Sequence, residues 1–396
     1  MTQPADLEYD PYAYAIHEDP YPTYRRLRDE APAYWNERLG FWALSRFQDV
    51  QTGLQDWETY SSTGGPALEQ SSGSTPPMII SMDPPRQAKL RRLVSKVFTP
   101  RRVAMMEPDV RALALTYLEP LLERGACDIV QDFAAKIPMD VISAMLGVPE
   151  ADRDMLRGWS DALLHREENQ RDIPEAGRAG AANMARYFAT DIAQRRRQPG
   201  PGMISDLIAA EVDGERLTDA EIMGFCFLLV IAGNETTTKM LGNAITLLHR
   251  HPAQRAALLE DPGLITGAVE EVLRYDNSTQ MIARSLVRDL ELHGRRLEAG
   301  RKILLLIGAG NRDERVFERP DAFDVRRRPE QLLHFGHGIH VCLGASLARL
   351  EGRVALEEVH ARMPDYVVDE GGLERVHSAN VRGFSRVPIT FTPARR

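Results

Sequence analysis

Three histidines and one cysteine, His334, His337, His340 and Cys342, fall within nine residues near the end of the chain, in the stretch LLHFGHGIHVCLG. A thiolate is a nucleophile or a metal ligand, and its pKa sets how much of it exists. The segment after Cys342, LGASLARLEGRVALEEV, has apolar periodicity and is expected to form a helix starting near Gly344. Amide groups and the dipole at that N-terminus favour a thiolate. Gly336, Gly338 and Gly344 let the backbone take φ > 0 or approach a flat partner. The residues alone leave three readings open. Cys342 is a buried structural cysteine, or it joins His334, His337 and His340 in a zinc site, or it is the axial ligand of a haem iron. The zinc reading suffers from crowding and lacks paired-knuckle spacing.

A second group with chemical potential lies inside LTDAEIMGFCFLLVIAGNETTTKMLGNAITLLHRH, residues 217–251, which reads as one long helix opened by a capping box of Thr218 and Glu221. Its middle, AGNETTT, is a poor helix former. Thr236 follows Ala232 by four residues, so its hydroxyl is placed to back-bond to that carbonyl or displace it and bend the helix. A buried helix with a tolerated kink explains this equally well. The chemical alternative is a proton relay, because the Thr236 hydroxyl adjoins the Glu235 carboxyl.

The first stretch resembles the haem-binding signature of the cytochrome P450 family: Phe, two residues, Gly, one residue, His, one residue, Cys, one residue, Gly. Phe335, Gly338, His340, Cys342 and Gly344 match it. The second resembles the family's oxygen-activation motif, small-Gly-any-acid-Thr, through Ala232, Gly233, Glu235 and Thr236. The motifs are in the family's order, and the resemblance spans essentially the whole chain. It implies a mainly α fold with small β-sheets, one large domain over residues 1–396, and a non-covalent haem b. By the same resemblance Cys342 ligates the iron, Phe335 shields the sulfur, His340 reaches a propionate, and Ala232 and Gly233 leave room for O2 and substrate. Glu235 and Thr236 become the acid and alcohol of proton delivery. The implied activity is that of a haem-thiolate monooxygenase, inserting one oxygen atom from O2 into a lipophilic small molecule by hydroxylation or O-dealkylation. A peroxide-driven enzyme is the nearest alternative, against which the Glu-Thr pair argues, since peroxide arrives already reduced. A non-catalytic haem- or zinc-binding protein is the alternative from another class.

Supporting residues follow from the same likeness. Glu271 and Arg274 form an E-x-x-R, usually a solvated helix pair. In the family it is a buried structural pair, here with Arg326 of FDVRR as expected third partner. Propionates need Arg or His. The family places a His, then an Arg four residues on, after Asp-Pro-Pro; DPPRQAKLRR supplies Gln87 in the His position, a departure, and Arg91 in the Arg position. Arg284 in MIARS matches a further propionate ligand. Taken singly, each arginine reads as a surface charge. Segments 64–81, 155–190, 225–236 and 276–282 correspond to substrate-facing regions, the last without the family's frequent double proline. Met78, Ile79, Ile80, Phe227, Leu228, Thr279, Met281 and Ile282 are the candidate lining, although such residues equally suit plain core.

The elements that must position these residues read as follows. Residues 1–20 look like an irregular arm, PYPTYRRLRDEAP (20–32) like a short helix, and PAYWNERLGFWALSR like a β-hairpin. RQAKLRRLVSKVF reads as a helix with Leu90, Leu93, Val94 and Val97 on one face. Helical patterns dominate from 86 to about 275, and strand-like pieces return at 280–307 and 387–392.

The 396 residues carry a formal net charge of −8, which argues against a general nucleic-acid binder. The start has no basic, apolar leader pattern, and no run of 18 apolar residues occurs, so no membrane span is expected. Cys127, Cys226 and Cys342 are odd in number and far apart, which suits the cytoplasm. With no cysteine cluster and no dinucleotide fingerprint, electrons are expected from a separate ferredoxin and an NAD(P)H-dependent ferredoxin reductase. Arg91, Arg92, Lys96, Arg101, Arg102, Arg349 and Arg353 are the candidate basic patch for that acidic partner, or else scattered solubilising charges.

Overall fold

The aromatic alternation around Leu39-Gly40 produces an antiparallel hairpin, Ala33–Asn36 with Phe41–Leu44, in which Trp35 opposes Trp42. Gly40 takes φ +67° in the turn, a conformation that favours glycine. The strand Lys302–Leu305 lies parallel to Phe41–Leu44, and Ile282–Leu286 and Tyr60–Ser61 complete the five-stranded sheet. The computed structural model describes residues 3–69, 76–95, 98–212, 214–378 and 380–393.

Helices α1 (Tyr14–Glu18), α2 (Tyr21–Glu30) and α3 (Phe47–Gln55) belong to this N-terminal region. The helical body comprises α4 (Arg86–Val94), α5 (Pro100–Met105), α6 (Glu107–Leu122), α7 (Lys136–Leu146), α8 (Glu150–Leu164), α9 (Glu175–Arg197) and α10 (Met203–Ala209). It continues with α11 (Asp219–Arg250), α12 (Pro252–Glu260), α13 (Ile265–Tyr275), α14 (Ile307–Gly310) and α15 (Ala345–Arg362). A second small sheet joins Ala126–Asp128, Pro388–Thr390 and Val367–Val368.

The spine is α11. Thr218 and Glu221 form the expected capping box at its start. It packs on α7, α8, α9, α13 and α15. Among the described residues it alone is long and apolar enough, by composition, to cross a membrane. Its burial inside the protein and the polar Glu235, Lys239 and Asn243 enclosed along it make it a core helix. The helix is unbroken through AGNETTT, so the weak stretch bonds as helix despite its composition.

One expectation needs an addition and one a correction. Apart from α1, residues 3–20 are irregular, and they are packed rather than free. Tyr9 and Tyr12 are buried, and Tyr9 meets Tyr24, Tyr34 and Phe41 edge-on at 5.9, 6.3 and 6.3 Å. Aromatic burial supplies what the irregular backbone lacks. The helix from Arg86 ends at Val94; Leu90 and Val94 are buried on it, and Val97 lies outside the described residues.

Candidate active site

The cysteine loop is closed by its own backbone. Cys342 N donates to Phe335 O at 2.8 Å, and Gly336 N donates to Leu333 O at 2.8 Å. Gly336 and Gly338 take φ of +70° and +68°. At Gly338 a Cβ would stand 2.9 Å from Leu54 O and 3.0 Å from Gln55 Cα, so the loop can cross the end of α3 only as glycine. The helix α15 begins at Ala345 with Gly344 as N-cap. The Cys342 side chain is accessible within its loop, although protein surrounds it closely. Desolvation raises its thiol pKa, while a hydrogen bond from the Gly344 backbone and the charges of Arg91 and Arg349 pull it down.

Helix α4 clamps this loop. Gln87 Nε2 donates to Ile339 O at 2.7 Å, and Arg91 Nη2 donates to Val341 O at 2.5 Å. Gln87 is 1% exposed, so its amide is committed to the loop backbone rather than to a bound anion. On the other side, Arg284 from the strand Ile282–Leu286 is 2% exposed, and its Nη2 has no hydrogen-bond partner. The Nε2 of His340 is likewise buried without one. Burial holds Arg284 down at about 10, and burial followed by the charge of Arg284 holds His340 down at about 4. Two adjacent buried nitrogens without partners, one of them on a guanidinium, fit the carboxylates of a haem. The open thiol and the glycine-lined loop fit its iron and its flat face.

The remaining histidines are engaged elsewhere. His334 Nε2 lies 3.2 Å from Glu270, and His337 Nε2 bonds Leu332 O at 2.8 Å. No group of three or more His, Cys, Asp or Glu among the described residues could hold a metal ion. Phe335 carries the Arg349 guanidinium 4.4 Å from its ring centroid.

On α11 the Thr236 hydroxyl donates to Ala232 O at 2.9 Å, the back-bond its spacing predicts. Ala232 is exposed although it sits midway along the core helix, so it faces a hollow. Gly233 meets Ile142, where a Cβ would come within 2.8 Å. Glu235 turns away from that strip. It is 5% exposed, 3.3 Å from Lys239 Nζ, and hydrogen-bonded to Asp161 of α8. Burial pushes its carboxyl up, but Lys239 and the Asp161 bond outweigh burial and hold it below the usual carboxylate range. Asp161 and Lys239 escaped sequence reading; Lys239, at i+4 from Glu235, was the detectable one.

Glu271 and Arg274 are fully buried and bidentate, at 2.7 and 2.8 Å. Arg274 also donates to the carbonyls of Asn311, Pro320 and Ala322, and Glu271 accepts from Asp324 N. The third partner is Arg327, 3.2 Å from Glu271, and not Arg326, whose side chain is exposed. The turn at Asp324 rotates the expected residue outward, since Arg326 N is held by Asp324 Oδ1 at 3.0 Å.

Of the expected lining, Met78, Ile80, Leu228, Thr279 and Ile282 are partly exposed and Ile79 is buried. Phe227 and Met281 are core residues instead. Phe227 packs on Phe188 at 6.5 Å, and Met281 Sδ accepts from Tyr9 Oη at 3.4 Å. Residues 70–75 of the expected substrate loop lie outside the described residues. Its described beginning is pinned by the Lys302 ammonium on Gly64 O, Gly65 O and Ala67 O, and by Arg166, 2.7 Å from Glu69. The expected basic patch is smaller than its sequence. Arg349 pairs with Glu270, and Arg353 with Glu107 and Glu357, at 2.6, 2.6 and 2.9 Å. Arg101 and Arg102 are exposed on α5, and Lys96 lies outside the described residues.

The cytochrome P450 family model matches residues 167–360. Over 390 residues the chain is 48% identical to putative cytochrome P450 123 of Mycobacterium tuberculosis, covering 97% of each chain. The chain belongs to the cytochrome P450 family. Vitamin D(3) 25-hydroxylase of Pseudonocardia autotrophica is 36% identical to this P450 over 407 residues, 99% of each. CYP109E1 from Bacillus megaterium, solved in complex with testosterone, matches the P450 with a TM-score of 0.90 at 32% identity, over 95% of this chain and 99% of that one. The protein is a mainly helical single-domain P450 monooxygenase with small sheets, and its family implies a thiolate-ligated haem.

Proposed function

We propose that this P450 hydroxylates or O-dealkylates a lipophilic small molecule, with Cys342 as thiolate ligand of a haem b and electrons supplied by a ferredoxin and its NAD(P)H-dependent reductase. One observation carries the cofactor assignment: an accessible thiol in a glycine loop, flanked by Arg284 Nη2 and His340 Nε2, two buried nitrogens without partners. Bound there, a thiolate-ligated haem supplies electron density that favours O–O cleavage.

The chain's own residues divide the remaining work. Arg284 and His340 hold the propionates, and Arg91 adds positive charge beside Cys342. Gln87 fixes the loop, and Phe335 covers it from the Arg349 side. Ala232 leaves space along α11, whereas Gly233 lets Ile142 of α7 pack close against the helix. Thr236 presents a hydroxyl on that strip, and Glu235 behind it exchanges the proton. Glu271, Arg274 and Arg327 hold the segment leading to the cysteine loop.

Ile80, Leu228 and Ile282 offer apolar, partly open surface, which supports a lipophilic substrate. A relative named for vitamin D3 hydroxylation and another solved with testosterone support steroid-like size. Exposed Arg101 and Arg102 on α5, which packs against α15, support an acidic electron donor. The free, buried Cys127 and Cys226 support a reducing cytoplasm.

The test is the spectrum of the reduced protein under CO, with steroid and fatty-acid titrations of the ferric spin state. A strongly red-shifted Soret band, lost in Cys342→Ser and kept in Cys127→Ser and Cys226→Ser, is expected. A band that survives Cys342→Ser overturns the assignment.

A further inference from the structure

Residues 64–68, in the stretch TGGPAL, form neither helix nor strand, yet each of their carbonyls is engaged. Lys302 Nζ donates to Gly64 O, to Gly65 O at 3.3 Å and to Ala67 O at 3.1 Å. Ala283 N donates to Pro66 O at 2.8 Å, and Arg171 Nη2 donates to Leu68 O. One ammonium thus gathers three carbonyls that no helix or sheet ladder supports.

The local sequence suits this arrangement. A Cβ on Gly64 would stand 2.2 Å from Ser285 Oγ and 2.9 Å from Lys302 Nζ, and Gly65 takes φ +83°. The two glycines let the chain fold its carbonyls around the amine. An ammonium offers three donors in a tetrahedral fan, which a planar guanidinium does not. Only five of the 49 Lys and Arg residues are lysines, and one of them stands here.

The strand that receives the loop also serves the site. Lys302 is paired with Ser285, and Ile303 with Arg284, in the five-stranded sheet. Ala283, which holds Pro66, lies between the pocket residue Ile282 and the haem-side Arg284. Leu68, at the end of the gathered stretch, is buried in the cluster that contains Met281 and Ala283. Glu69, next in the chain, is held by Arg166 at 2.7 Å.

We propose that Lys302 is a substrate-positioning residue: its ammonium holds the 64–68 backbone against the strand Ile282–Leu286, and substrate affinity follows its charge. The inference rests on the reading of this loop as substrate-facing. The charged groups that face Lys302 are Arg171 from the segment between α8 and α9, Glu69 at the end of the loop, and Arg284 on the neighbouring strand. Burial, then the charge of Arg171, lowers the ammonium to about 8, with Glu69 opposing and Arg284 adding. Below about pH 8 the amine is charged and gathers the carbonyls. Above it the neutral amine has fewer donors than the site has acceptors, and the loop loosens.

The experiment uses the full-length holoenzyme, with testosterone as the probe and palmitic acid where the steroid gives no ferric spin shift. It compares the parent with Lys302→Met and Lys302→Arg between about pH 6.5 and 9.5. Near neutral pH, Lys302→Met should bind the probe about tenfold more weakly, the factor of one charge-assisted hydrogen bond. KM should rise by a similar factor, while kcat with supplied ferredoxin and reductase changes little. Parent affinity should fall as pH rises through about 8. Lys302→Met should be weak and level across the range. Lys302→Arg should be level too, because a guanidinium keeps its charge. Hydrogen exchange gives a readout apart from turnover. The Ala283 amide, whose acceptor is Pro66 O, should exchange faster in Lys302→Met, together with the amides of the loop. Should Lys302→Met load haem poorly, the parent titration and Lys302→Arg carry the test.

Unchanged exchange at Ala283 in Lys302→Met overturns the holding role. Faster exchange with unchanged affinity overturns the positioning role and shows that the loop does not face substrate. A pH dependence of affinity that survives in Lys302→Met or Lys302→Arg places the titration elsewhere and overturns control by the Lys302 charge. A parent without the thiolate Soret band under CO overturns the haem reading instead, and exchange at Ala283 still judges Lys302.

Discussion

Arg327 Nε lies 3.2 Å from Oε2 of Glu271, so that fully buried carboxylate is shared by two guanidinium groups. Removing the carboxylate orphans Arg274 in the core, at a cost of roughly 3–5 kcal/mol. Glu271→Ala should therefore give little haem-loaded protein. Arg327→Ala leaves Arg274 to neutralise Glu271 and should cost less, while Arg326→Ala should stay within about 0.5 kcal/mol, as an exposed side chain does. Denaturant unfolding of the holoproteins orders the three. Equal losses for Arg326→Ala and Arg327→Ala would refute the assignment.

Gln87 controls the cysteine loop through a single buried bond to Ile339 O. Gln87→Leu leaves that carbonyl without its donor, worth about 1–3 kcal/mol. Because the loop carries Cys342, the loss should appear as weaker haem retention. Transfer of haem to apomyoglobin should accelerate several-fold, with turnover changed little in the fraction still loaded. An unchanged transfer rate would show that the loop is held by Arg91 and the backbone alone.

What the sequence made legible were features with fixed local spacing. Cys342 with its glycines, the Thr236 back-bond four residues from Ala232, the capping box of α11 and the Trp35–Trp42 hairpin each depend on residues close in the chain. Arg326 was expected and Arg327 found because a tight turn at Asp324 decides which neighbour points inward, and adjacent arginines are identical to a pattern. Met281 and Phe227 were expected in the pocket lining and are buried in the core; their facing depends on strand register and on Phe188 of α9, neither visible locally. Asp161 was invisible for the same reason. Its partner lies on α11, and only the packing of α8 brings the two carboxyls together.

Glu351 on α15 is 2% exposed and has Oε1 without a hydrogen-bond partner; its other bond is with the Thr237 side chain. Burial pushes its carboxyl up to about 8 from 4.5. A raised folded pKa means the folded state holds the proton more tightly than the unfolded one. Its contribution is fully present below about pH 4.5 and is lost as pH rises through about 8. Glu351→Gln removes the titration and should be more stable than the parent at pH 9, on the order of a few kcal/mol at about 1.4 kcal/mol per unit. The two proteins should converge near pH 4.5. Melting temperatures across pH 4.5–9 measure this, and parallel curves would mean that Glu351 titrates normally.

Thr236 is the one hydroxyl on the open strip of α11, and it is bonded to Ala232 O at 2.9 Å. Thr237, next in sequence, is 3% exposed and faces Glu351 on the other side of the helix. The two threonines should therefore behave differently. Thr236→Ala forfeits a side-chain bond worth about 0.5–1.5 kcal/mol, too little to unfold the core helix. Substrate should still shift the spin state, and NAD(P)H should still be consumed. Without the hydroxyl the proton is misdirected, and electrons should leave as hydrogen peroxide in place of product. Turnover driven by added peroxide should fall less, since it needs less proton delivery. Thr236→Ser should restore coupling, because it keeps the oxygen and loses only a methyl. Thr237→Ala should stay coupled. Product, peroxide and NAD(P)H measured in one reaction decide the matter. Coupling lost in Thr237→Ala and kept in Thr236→Ala would move the alcohol of the relay to the neighbouring residue and turn the delivery path toward Glu351.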